Sequence, residues 1–126
     1  MEEVYNFLQK DEYFQLDSRR PSALAQAKHN LGSAYYFGSG TEQNYSEAAN
    51  WFREAADMGS ADSRYNLGLM YKNGQGVVKD LVMAYYWLHL AALQGDKDAG
   101  TIRDSLAAVM SPAQMAAVST LLQGRT

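Results

Sequence analysis

The sequence predicts an all-α fold, a short solenoid of antiparallel helix hairpins. Three observations carry that expectation. The chain repeats itself at a period of 36 residues: shifted by that amount, residues 25–60 fall on 61–96 with 12 identities. Apolar residues inside each unit keep helical spacing, and no strand-like alternation persists. Glycines and capping residues alternate along the chain, which marks helix ends joined by short turns.

The identities are skeletal. Ala25 meets Ala61, and Asn30, Leu31 and Gly32 meet Asn66, Leu67 and Gly68. Tyr35 meets Tyr71, and Gly38 and Gly40 meet Gly74 and Gly76. Ala48 and Trp51 meet Ala84 and Trp87, while Ala55, Ala56 and Gly59 meet Ala91, Ala92 and Gly95. These are small or bulky packing residues, whereas polar and charged positions mostly differ. Such a pattern arises when packing alone is held fixed between stacked units.

The elements follow in order. Phe7, Leu8 and Phe14 suggest a leading helix within residues 1–20, ending before DSRRPS. The first unit, residues 25–60, reads as helices near 22–37 and 45–58, and the second, residues 61–96, as helices near 61–73 and 81–94. Gly38 and Gly74 stand where a left-handed residue closes the first helix of each unit, and Gly59 and Gly95 close the second. Asn44 caps the helix that follows it, with Glu47 placed to reach back, and Asp80 holds the matching position. Ser60 and Asp96 cap the next helices. In the second helix of unit two, Ala84, Trp87, Leu88, Ala91 and Ala92 lie on one face at i, i+3, i+4, i+7 and i+8. Residues 97–124 depart from the register, with Arg103-Asp104 where Leu-Gly is expected. A helix over 97–109 and a last one from Ser111-Pro112 to about Leu122 close the array as caps.

Composition bounds the function. A chain of 126 residues suggests a single domain, 1–126. The absence of cysteine removes disulfides and thiolate metal sites, and a net charge of -3 without a clustered basic face excludes a phosphate-tracking nucleic-acid binder. The longest apolar run, Leu81–Leu93, is 13 residues and contains His89, too short to span a bilayer. Charges throughout residues 1–20 argue against a signal peptide. The expected compartment is cytoplasmic by default, or periplasmic or secreted if a leader has been lost.

Catalytic readings are weak. Gly74 and Gly76 form a G-x-G, but a dinucleotide fingerprint needs a third glycine between a strand and a helix. Here a helix precedes the loop, position 79 is Lys, and the loop occurs twice. His29 and His89 are the only histidines and sit in different units, where zinc needs three or four gathered ligands. His89 reads as a partly buried spacer and His29 as a surface residue. Asp96 reads as a cap, and Asp98 and Asp104 face water rather than flanking a scissile bond. No cofactor or metal is expected.

The stretch NLGLMYKNGQGVVKD…A..WLHLAALQGD over residues 66–96 resembles a Sel1-like repeat, a relative of the tetratricopeptide repeat. NLGSAYYFGSGTEQN…A..WFREAADMGS matches in skeleton but departs in its loop, with Thr41 and Glu42 where unit two has Val77 and Val78. The tail IRDSLAAVMSPAQMAAV resembles the closing helices common after such arrays, and the likeness covers roughly residues 24–122. It implies a right-handed superhelix. Gly32 and Gly68 then mark close helix approaches, and Trp51 and Trp87 fill the wedges between hairpins.

In the related tetratricopeptide fold the inner face of the first helices binds peptides. Transferred by register, that face comprises Gln26, His29, Ser33, Tyr36 and Phe37 in unit one. In unit two it comprises Asp62, Tyr65, Leu69, Lys72 and Asn73, and Asp98 and Thr101 extend it. The resemblance therefore implies a non-enzymatic protein–protein interaction module, an adaptor, scaffold or regulator that holds a protein or peptide. A bland alternative is that so short a solenoid is too flat and its aromatics shield its ends. A dedicated inhibitor or immunity-type partner of one bacterial enzyme is a second reading, a role some members have. A small hydrolase using His29 or His89 is a third, with no constellation behind it. Neither nucleic acid nor membrane insertion is expected, and an exposed hairpin face leaves a homodimer open.

Overall fold

Six side chains start six helices. Ser22, Asn44, Ser60, Asp80, Asp96 and Ser111 each adopt an extended backbone and accept a hydrogen bond from a backbone N–H of the following turn. The computed structural model describes residues 21–124, and the expected leading helix lies outside them. The helices are α1 (Ala23–Phe37), α2 (Tyr45–Asp57), α3 (Ala61–Asn73), α4 (Leu81–Leu93), α5 (Lys97–Ala107) and α6 (Pro112–Gln123). No strand occurs among the described residues. The expected boundaries hold to within two residues.

One capping expectation is corrected. The Asn44 side chain accepts from the Glu47 N–H, but Glu47 makes no return bond; its short reach back is absent from this cap. The reciprocal box forms instead at Ser111, whose N–H donates to Gln114 Oε1 at 2.8 Å while its Oγ accepts from the Gln114 N–H at 3.1 Å.

Helices pack on their chain neighbours: α1 on α2, α2 on α3, α3 on α4 and α4 on α5, and then α6 returns to α4. Absent side chains set the closest approaches. A Cβ on Gly68 would lie 2.7 Å from Leu88 Cγ, and one on Gly32 would lie 2.6 Å from Phe52 Cδ1. Phe52 and Leu88 occupy the same position of successive units, so the device is repeated with a different plug.

The core falls into two buried clusters. Ala48, Phe52, Leu67, Met70, Trp87 and Leu90 join the two hairpins, and Ala84, Leu88, Ala91, Ala99 and Leu106 seat α5 on α4. Trp87 is buried in the wedge, as expected, and Val77 packs its loop onto the first cluster while Val78 stays exposed. Trp51 departs from its twin and is only half-buried. Trp87 is buried against Ala48 and Phe52 of unit one, and no described hairpin covers Trp51 in the same way.

Polar links tie the hairpins at their far ends. Arg64 Nε donates to the Ala56 carbonyl at 3.0 Å and its Nη1 to Gln94 Oε1 at 2.8 Å, and Gln94 Nε2 donates to the Gly59 carbonyl at 2.7 Å. Two backbone carbonyls at the end of α2 are thus satisfied by two side chains that also bond each other, which ties unit two to unit one at this end.

Candidate partner-binding face

Helical geometry sorts the first-type helices α1, α3 and α5. Each residue advances about 100°, so on α3 the buried Ser63, Leu67, Gly68 and Met70 share one side. Asp62, Tyr65, Asn66, Leu69, Lys72 and Asn73 take the other. The same register on α1 gives Gln26, His29, Ser33, Tyr36 and Phe37.

Between α1 and α3 this side opens into a cleft of about 290 Å³ lined by Tyr36, Phe37, Phe52, Asn66, Leu69 and Met70. Three of those six, Tyr36, Phe37 and Leu69, are sequence-expected groove residues. Phe52, Asn66 and Met70 are not. Phe52 and Met70 are fully buried and form the floor. Phe37 forms the rim and is 71% exposed.

The walls are braced. Tyr36 Oη donates to Gln75 Oε1 of the second unit at 3.3 Å, and its ring meets Phe37 edge-on at 4.9 Å and Tyr45 at 5.0 Å. Gln43 Nε2 donates to the Tyr36 carbonyl at 2.8 Å. An aromatic side chain held on three sides is a preorganised contact, since little rotamer freedom is left to lose on binding.

The remaining expected residues sit around the cleft. His29 is half-buried, which corrects its reading as a surface residue. Its Nδ1 shares a 2.7 Å hydrogen bond with Ser63 Oγ, and its ring lies 5.4 Å from that of Phe52. Burial holds this imidazole below its ordinary pKa, opposed by the smaller pull of Asp62. A histidine on a serine with an aspartate near it invites a nucleophile reading. Ser63, however, has no exposed surface, so its hydroxyl is closed to any substrate.

Gln26 is exposed and donates to Asn30 Oδ1 at 2.9 Å, and Ser33 is half-buried. Tyr65 is half-buried against the second cluster, and its phenol is pushed up by burial, then by Asp98 and Asp96. Lys72 is half-buried; Asp62, Asn73, Asp98 and Thr101 are exposed. Thr101 Oγ1 donates to the carbonyl of Lys97 at 3.1 Å, which turns its hydroxyl back on its own helix.

His89 is half-buried as expected. It lies parallel to Tyr85 at 5.9 Å and takes Arg103 Nη1 at 3.2 Å from its Nδ1, and burial and then Arg103 lower its pKa. The two histidines thus serve separate helix contacts. Among the described residues no helix is long and apolar enough to cross a membrane.

The Sel1 repeat profile matches residues 25–60 and 61–96, the same two units the internal shift defines. A search of the curated proteins finds no match. Among solved structures, the chain is 35% identical to a Sel1 repeat protein from Oxalobacter formigenes, with a TM-score of 0.64 over 65% of this chain and 34% of that one. It is 31% identical to a protective antigen of uropathogenic Escherichia coli strains that displays an SLR fold, with a TM-score of 0.74 over 79% of this chain and 22% of that one. It is 27% identical to Helicobacter pylori cysteine rich protein B, with a TM-score of 0.60 over 62% of this chain and 59% of that one. The chain therefore spans between about a fifth and three fifths of the length of these three structures. With both repeats matched in register over more than half of its length, the chain belongs to the Sel1 repeat family.

Proposed function

We propose that this chain is a non-enzymatic protein-binding module that holds a protein or peptide segment on the exposed face of α1, α3 and α5. Sel1 repeats serve generally in protein–protein interaction, and the cleft between α1 and α3 is the observation that carries the reading here. It combines a buried apolar floor, Phe52 and Met70, with an exposed aromatic rim, Phe37. Interface centres have this composition, and aromatic anchors in such pockets supply most of the binding energy. At about 290 Å³ the cleft is at the small end of ligand pockets, which run to about 1,000 Å³, and suits one bulky side chain.

The test is recovery of partners from native cells by the full chain and by a variant carrying Tyr36→Ala and Leu69→Ala, with helicity checked by circular dichroism. Both residues are half-buried and neither belongs to a fully buried cluster, so the fold should survive. Loss of the recovered partner is the expected result. Undiminished recovery by a folded variant would remove the face from consideration.

A further inference from the structure

The face that carries the proposed binding function is chemically polarised along its helices. Asp62 and Asp98 are 36 residues apart and occupy one position of successive units, the first turns of α3 and α5. Both are exposed, and neither joins an ion pair among the described residues. A first-turn acid suits the helix dipole, so residue type alone implies no ligand. What distinguishes this pair is its relation to the cleft. Leu69 lies seven residues beyond Asp62 on the same side of α3, about 10 Å along the axis. At that far end stand the exposed hydrophobics Phe37, the last residue of α1, and Val109, just past α5. Lys72 stands at the same apolar end. Lys97, the cation nearest Asp98 in sequence, lies about 100° around α5 from it. The acids therefore form one end of the surface and an apolar cleft beside a cation forms the other.

We infer that this face takes an extended segment of a partner protein with a bulky apolar side chain in the cleft and a lysine or arginine about three residues away, over Asp62 and Asp98. The spacing follows from geometry, since three residues of extended chain cover about 10 Å. Charge complementarity fixes direction: the cation meets the acids at one end and is repelled by Lys72 at the other. The inference rests on the proposed function and names the partner chemistry for that same site.

The test pans a displayed library of random heptapeptides against the full chain. Enriched sequences should share a basic residue about three positions from Trp, Phe, Tyr, Leu or Met. A synthetic fluorescein-labelled winner is then titrated by fluorescence anisotropy against three proteins. On the unmodified chain its affinity should fall as salt rises. Asp62→Asn with Asp98→Asn should weaken it about tenfold and remove most of that salt dependence. Leu69→Arg, on the rim, should abolish it.

Winners lost on Leu69→Arg but without a basic preference, and indifferent to the two Asp→Asn changes, would overturn the basic-segment inference and leave the cleft as binding site. Winners that still bind Leu69→Arg, or no enrichment at all, would count against the cleft itself. A free chain that sediments near 28 kDa, twice the 14.0 kDa of one copy, and is split by Leu69→Arg, would make the occupant a second copy and end the proposal.

Discussion

Gly76 lies against the backbone of Tyr45, so close that an added Cβ would overlap the Tyr45 carbonyl group. Its φ is 70°, in the left-handed region that glycine enters without cost. The contact joins the loop of unit two to the first turn of α2 in unit one. The G-x-G of this loop is thus a docking point between hairpins, and neither a phosphate cradle nor a loose link.

Its twin makes the point testable. Gly40 has φ 79° but nothing within 4 Å of a Cβ, because no described hairpin lies beneath it. Gly40→Ala should cost about 1 kcal/mol, the left-handed strain alone. Gly76→Ala should cost about 2–4 kcal/mol, as overpacking against backbone adds to that strain. Urea denaturation of both variants at constant m-value measures the difference, and equal costs would deny the interlock.

Leu31 and Leu67 offer a second matched pair. They share one repeat position, yet Leu67 is 0% exposed and Leu31 is 42% exposed. Leu67→Ala should cost about 2–5 kcal/mol and Leu31→Ala under about 1 kcal/mol. The same denaturation series decides it. Similar losses at the two sites would mean that unit one is covered as fully as unit two.

Acid should weaken the fold before the carboxylates titrate. His29 and His89 both have pKa values held below the ordinary value of about 6.5, chiefly by burial. As pH falls the unfolded chain takes up these protons first. Stability is therefore full above about pH 6.5 and declines as pH drops through that value toward the lower folded pKa values. The denaturation midpoint should fall between pH 7.5 and pH 5.5, and His29→Gln should flatten part of the slope. A midpoint that rises toward pH 5.5 would contradict the burial of these rings.

Much of this fold was legible because packing dictates it. Gly32, Gly68 and the repeated alanines recur where helices touch, so sliding the chain on itself exposes the hairpins. Tyr36, Phe37 and Leu69 were reached by register, since a helix face is a matter of spacing. The cleft floor was not. Phe52 aligns with Leu88 and Met70 with Ala34, so neither position looks fixed, and burial in a shared floor leaves no periodic mark of its own. The His29–Ser63 bond spans 34 residues and two helices, and the only trace in sequence is that Ser63 replaces the alanines found at 27 and 99. Trp51 misled in the other direction, because identity with Trp87 says nothing about whether a neighbour covers it.

On the function proposed above, a partner sits on the exposed face of α1 and α3. The most direct measurement is amide chemical-shift mapping of the ¹⁵N-labelled full chain, titrated with a partner purified from native cells. Shifts concentrated at Tyr36, Phe37, Asp62, Asn66 and Leu69, with Asp57, Leu93 and Leu121 unmoved, are expected. Shifts clustered on α2, α4 or α6, with the cleft residues silent, would contradict it.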